Sequence, residues 1–479
     1  MAFFRGQLLE LARWITLYCQ NQPGDGKTFL NADVRSTFVR AALIASHLWE
    51  QRLYGPDGIK ANPDASAQLL QLLGAFRKSV EEGNQAGNAG FILTRGWLLF
   101  SRYLPTHLPK FGESFQQATG LTIRQYFLSA SAILDRSFSD KPDDARIFTT
   151  QYVEGETPFR EVFAKFISMH SQTPEQWAES IRGSTEVAYR ALRERPILSF
   201  VRDRSIIFDP TFYLDNLSTA PLFRVMSQGI ASNAVFGAFG FAFEDYALQL
   251  LRERFPSGSG LLHERLRCNV KGNTVAGQEF EADAVLTDIT SLVVFEMKAA
   301  WIREATITAS DPQIFLDEIR RKYGYIVDSD ERPKGVAQLA RIVGALVRRE
   351  WLGQDREYGP ATSVFPVLTV FDGRMGAPGT CRLLAEDFRI LLGQIPDRIF
   401  VHPLIIMTAA DLESLIYGVE SLSLQEFLRA YSSADPNRSS SVHNFIAGSR
   451  YLSQVRSSPV LETAFQELMQ AARAELSPH

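Results

Sequence analysis

The sequence predicts an α/β protein: an all-α N-terminal domain, a core of order αβββαβ on a mixed sheet, and a short helical tail. Three observations carry this. Apolar residues recur every three or four positions up to about residue 200. A helical stretch from 230 is followed by three short β-rich runs separated by turn signals, and beyond 300 helical and β-rich segments alternate. The 479 residues are 45% hydrophobic and 22% charged, which excludes a disordered or collagen-like chain.

The N-terminal domain, 1–200, reads as helices at 5–20, 36–53, 66–82 and 157–170, with Ser36, Ser66 and Thr157 as N-caps. His47, His107 and His170 have no partner at metal-ligand spacing and read as packing or surface residues. Residues 201–229 form a junction whose two short β-rich runs are broken at Asp209-Pro210.

The core, 230–410, opens with a helix at 233–254. Strands at 261–270, 279–287 and 291–299 follow, with turn signals at Gly272-Asn273, Gly277 and Thr287-Asp288, so they form an antiparallel meander. Helices at 311–323, capped by Asp311 with Pro312 behind it, and at 335–351 come next. Strands at 363–371 and 399–407 complete the sheet. The helical tail, 411–479, begins at a capping pattern running from Thr408 to Asp411 and is interrupted by the polar linker 432–441.

Several function classes drop out at once. Cys19, Cys268 and Cys381 form neither a disulfide framework nor a metal knuckle, which suits a reducing compartment. No apolar run is long enough to cross a membrane, and the first residues do not resemble a secretory signal, so a cytoplasmic protein is expected. The glycine-rich loop 371–380 lacks the lysine and spacing of a phosphate loop and reads as a turn. With a net charge of −4, no global field draws a polyanion, and any nucleic-acid surface is local.

Lysine is scarce beside arginine, so a lysine inside a β-rich run stands out. The stretch EFEADAVLTDITSLVVFEMKAAW, 279–301, holds one. Alternate side chains of a strand share a face. Glu296 and Lys298 therefore project together, with Val293, Phe295 and Met297 opposite. The preceding strand is expected to show Glu279, Glu281 and Asp283 on one face, and Phe280, Ala282, Ala284 and Leu286 on the other. A hairpin then sets Asp283 beside Glu296, with Lys298 just beyond.

Adjacent carboxylates repel each other unless a cation lies between them. Mg²⁺ or Mn²⁺ with oxygen ligands suits such a pair and can activate water against a phosphoryl group. The ammonium of Lys298 can orient that water or stabilise the phosphate, and can act as base if its pKa is depressed. Glu244 sits on a helix almost wholly apolar apart from it and Asp245, so it points to solvent, is paired, or binds a cation. Glu264, on the first strand, raises the same question and stays a reserve ligand. On helix 335–351, Lys334, Gln338, Arg341 and Arg348 share a basic face suited to a phosphate backbone.

These residues resemble the PD-(D/E)XK phosphodiesterase superfamily, which has the restriction-endonuclease-like fold. Asp283 and Glu296-Met297-Lys298 match its acid and its (D/E)-x-K triplet, and 230–410 follow its αβββαβ order. The proline often found before the aspartate is Ala282 here. The resemblance implies a metal-dependent nuclease. Glu244, Asp283, Glu296 and the Met297 carbonyl would hold Mg²⁺ or Mn²⁺. Asp283, Glu296, Lys298 and Gln338 would be catalytic, Gln338 resembling a helix glutamine of several branches. DNA is the expected substrate, and the joined helical domain resembles bacterial defence and DNA-processing proteins. The alternative is a catalytically silent module of the same fold that binds nucleic acid or a protein partner. The helical domain leaves room for a homo-oligomer or protein contact, and no membrane is implied.

Overall fold

Buried on both faces, the central strands are nearly continuous apolar runs, Leu292 to Phe295 and Val364 to Val370. They belong to a computed structural model that describes residues 5–18, 32–54, 74, 76, 89–137, 147–148, 158–182, 190–200, 204–256, 265–273, 277, 279–307, 311–324, 334–348, 362–418, 423–438, 440–448 and 458–476.

The central elements are α1 (Ser232–Arg254), β1 (Arg265–Asn273), β2 (Glu279–Thr287), β3 (Ser291–Lys298), α2 (Pro312–Tyr323) and α3 (Val336–Arg348). Then come β4 (Ser363–Val370), α4 (Pro378–Leu392), β5 (Phe400–Val401), β6 (Ile405–Thr408) and α5 (Ala409–Gly418). The strands make an open mixed sheet in the order β6-β4-β3-β2-β1, with β5 pairing the start of β4. β1, β2 and β3 run antiparallel, and β4 runs parallel to both β3 and β6. A second, smaller sheet joins Ile147–Phe148, Ser171–Gln172, Ile197–Ser199 and Ser205–Ile207. The protein is therefore mixed α/β, as expected.

Each face of the main sheet has its own apolar layer. On one, α1 covers Leu286, Val293, Phe295 and Val367. On the other, α2, α3 and α4 cover Val285, Val294, Val364 and Leu368. At roughly 1.5–3 kcal/mol per fully buried large apolar side chain, these layers dominate the stability of the core. The α1 layer runs without a break into helices 89–98, 123–137 and 158–170, and into helices 424–434 and 459–476. Residues before 200 and after 411 thus share one core with the sheet.

Local chemistry explains the ends of the elements. Asp311 accepts the Gln313 N–H with Pro312 behind it, as expected. Thr408 and Asp411 cap α5 reciprocally: the Thr408 N–H donates to Asp411 Oδ2 at 2.9 Å, and the Asp411 N–H donates to Thr408 Oγ1 at 3.2 Å. Gly335, at φ 57°, opens α3 against the Tyr323 carbonyl, where a Cβ would collide with backbone.

Five readings need correction. Asp209 does not break a β-rich segment; it caps the 17-residue helix Pro210–Met226 by accepting the Phe212 N–H, because Pro at N1 and an Asp cap outweigh the β-rich composition. The strand expected at 261–270 is β1, 265–273, and Gly272-Asn273 lie within it. The strand expected at 399–407 is split into β5 and β6 around Pro403, which has no N–H for a ladder. Ser36 lies inside helix Ala32–Tyr54 and caps nothing. Finally, the alternation of β2 inverts: Phe280 and Ala282 lie in one layer, Ala284 and Leu286 in the other. Most of 66–82, Thr157 and Glu264 fall outside the described residues.

Candidate active site

The β2–β3 ladder ends at the pair Ala284–Phe295. One step further, the same register sets Asp283 opposite Glu296. The Met297 N–H donates there to the Asp283 side chain, at 2.6 Å from Oδ2. β3 meanwhile stays paired with β4 through Lys298, opposite Val370. Asp283 thus stands at the point where β2 and β3 part. The Tyr323 hydroxyl on α2 donates to the Ala300 carbonyl and holds the chain as it leaves β3.

Glu296 has 0% exposure, and among the described residues its Oε2 has no hydrogen-bond partner. Lys298 Nζ stands 2.5 Å from its Oε1 as a charge contact. Burial pushes the Glu296 carboxyl up to about 8 against the pull of Lys298, with Asp283 and Glu244 adding to the rise. Burial also raises Asp283, opposed by Lys298 and the Met297 amide. Half-buried Glu244 is pushed up to about 7, first by burial and then by the charge of Asp283. Burial disfavours the ammonium of Lys298, but Glu296 and Asp283 outweigh it and its pKa is raised.

These mutual shifts tie Glu244, Asp283, Glu296 and Lys298 into one electrostatic cluster. Among the described residues, no group of three or more His, Cys, Asp or Glu side chains converges as a ready metal cage. The donor chemistry still fits a hard cation. A fully buried carboxylate with one unpartnered oxygen, next to a second buried acid, is what Mg²⁺ or Mn²⁺ accepts as ligands.

The polar face of α3 meets backbone carbonyls. Gln338 Nε2 donates to the Glu281 carbonyl at 2.9 Å, and the Arg341 guanidinium donates to the Glu279 carbonyl at 2.8 Å. These carbonyls belong to the part of β2 that β3 no longer pairs. Arg348 donates to the Leu392 carbonyl, at 2.7 Å, in the last residue of α4. Lys334 is exposed at the start of α3. The sequence grouped the four on one helix face, but Lys334 precedes the helix and the other three bond to backbone.

Sequence reasoning missed Asn269. This residue of β1 has φ 52°, a left-handed conformation inside a strand, and it faces Asp283 in the register. Asparagine tolerates that conformation better than most residues, but nothing in the surrounding pattern signals it.

No family model matches the chain, and no curated protein or solved structure matches it either. Among the described residues, no helix is long and apolar enough to cross a membrane.

Proposed function

We propose that the chain is a divalent-metal-dependent nuclease acting on DNA, with a restriction-endonuclease-like core of the PD-(D/E)XK type in 230–410. One observation carries this reading: the Glu296 carboxylate, fully buried, set between a second buried acid and the Lys298 ammonium 2.5 Å from its Oε1.

In this reading Asp283 and Glu296 hold Mg²⁺ or Mn²⁺, with Glu244 and the Met297 carbonyl completing the set. The ion, when bound, supplies positive charge against the phosphoryl group and acidifies water. Lys298 acts as a donor. Its raised pKa keeps it an ammonium at neutral pH, so it holds the attacking water or the developing phosphoryl charge, and does not take the proton. Glu244, at about 7, shares a proton with solvent near neutrality, and a cation beside it would displace that proton. Gln338 and Arg341 serve the site by holding β2 in place.

Purified protein should cut DNA in Mg²⁺ or Mn²⁺. Lys298→Ala and Asp283→Ala should lose that activity while keeping the wild-type melting profile. Wild type inert on DNA and RNA with both metals would overturn the reading.

A second reading, a silent module that binds nucleic acid or a protein partner, is favoured by the engagement of Gln338 and Arg341 with β2 carbonyls. It predicts DNA binding with no cleavage and no effect of Lys298→Ala.

A further inference from the structure

β1 and β2 change faces together, at a single point. Their register pairs Cys268 with Ala284 and Val270 with Ala282, without an extra residue in either strand. Residues two apart on a strand ordinarily share a face. Here Cys268 and Ala284 pack in the α1 layer, whereas Val270 and Ala282 lie in the layer under α3. Between them, opposed and outside the ladder, stand Asn269 and Asp283.

Asn269 stands at the point of turnover. Its φ of 52° lies in the left-handed region, and it and Arg438 are the non-glycine residues with positive φ among those described. Its side chain is exposed, so no packing requirement selects it. β1 is the edge of the sheet, so it can turn over while breaking just one ladder. The consequence falls on Asp283. Had the alternation of 284–287 continued, Asp283 would lie with Val285 in the layer under α3. At the turnover it belongs to neither layer, and its carboxylate meets the Met297 amide in the gap beside Glu296.

We propose that Asn269 is a positioning residue of the carboxylate–lysine cluster, whose left-handed backbone aims Asp283 into the gap between β2 and β3. The inference rests on reading that cluster as catalytic. The geometric half is measurable without any catalysis.

The test uses the full chain labelled with [¹⁵N]methionine, which yields few enough amide resonances to resolve, since the sequence has 7 Met. Met297→Leu identifies the Met297 signal. Three variants are compared: Asn269→Gly, which accepts the left-handed conformation freely; Asn269→Ala, which accepts it less well; and Asn269→Val, which resists it most. In metal-free buffer the Met297 amide should keep its wild-type shift and slow exchange in the Gly variant, and lose both in the Val variant, with Ala between. With Mg²⁺ and DNA, kcat should fall by roughly 10²-fold in the Val variant, the effect of about an ångström of misplacement, with KM unchanged and the Gly variant restored. Should the Val variant not fold, the Ala and Gly pair carries the comparison.

A purely structural role would lower the melting temperature and leave the Met297 amide where it is; that result overturns the proposal. An amide that moves in the Val variant and returns in the Gly variant supports it. If wild type then cuts no nucleic acid, the nuclease reading fails and the placement of Asp283 by Asn269 stands.

Discussion

Glu413 and Glu296 are both buried, and their surroundings treat them oppositely. Glu413 accepts from Arg95 at 3.0 and 3.1 Å and from the Tyr246 hydroxyl at 2.6 Å, whereas Glu296 meets the Lys298 ammonium at Oε1 and, among the described residues, has no partner at Oε2. Tyr246 and Glu244 are two residues apart on α1, so they point to nearly opposite sides of the helix. One side completes a satisfied buried carboxylate, and the other faces the candidate site. The desolvation that Lys298 relieves in part sits where an ion is proposed to bind.

Removing the charge of Glu296 should stabilise the metal-free protein. Its carboxyl, ordinarily near 4.5, is pushed up to about 8. Between these values the folded chain keeps a proton that the unfolded chain has released. Its contribution is therefore complete below pH 4.5 and is lost as pH rises through about 8. Glu296→Gln should flatten this limb and gain about 1–3 kcal/mol at pH 8. Mg²⁺ or Mn²⁺ should raise the wild-type Tm more at pH 8 than at pH 6 and leave the variant unmoved. Thermal melts across pH, with and without metal, read this directly.

The satisfied partner predicts the opposite sign. Glu413→Ala strands Arg95 in the core and should lose about 3–5 kcal/mol in denaturant unfolding. Adding Arg95→Met should recover most of it. Equal losses in the single and double variants would mean that the pair makes no net contribution.

Gln338 and Arg341 should behave as parts of the scaffold. Arg341→Ala gives up a bond to the Glu279 carbonyl and should lose about 1 kcal/mol. The salt dependence of DNA binding should stay unchanged. A slope shallower by about one would instead mark Arg341 as a phosphate contact.

His170 lies fully buried, its ring centroid 5.4 Å from that of Tyr126 and 4.6 Å from that of Phe166. Burial lowers its pKa to about 3, with the Arg224 charge adding and Asn216 opposing. Between about 3 and its ordinary 6.5 the unfolded chain binds a proton that the folded chain lacks. Stability is thus complete above 6.5 and falls with acid by up to about 1.4 kcal/mol per pH unit. His170→Phe keeps a ring between its neighbours and should flatten the acid limb of a Tm–pH curve.

What could be read from the chain alone follows from the range of each signal. β2, β3 and β4 announce themselves by apolar runs and flanking turns, and counting from Asp283 to Glu296 sets the two acids opposite. Phe280, Ala282, Ala284 and Leu286 look like one apolar face because all four are apolar. The inversion between them depends on one dihedral at Asn269, on another strand, and leaves no periodic trace. The helical wheel of α3 groups Gln338 with Arg341, but a wheel holds no information on which surface the helix meets. Asp209-Pro210 misleads because the same dipeptide interrupts strands and starts helices.

The packing of helix 459–476 on helices 89–98 and 123–137 has a consequence for biosynthesis. The ribosome makes the first two of these partners long before the third, so their apolar flank must wait, bare, while the whole sheet is translated. Native closure of this layer is then a late event of high contact order, and a nascent chain stalled before residue 459 offers chaperones a sticky helical surface.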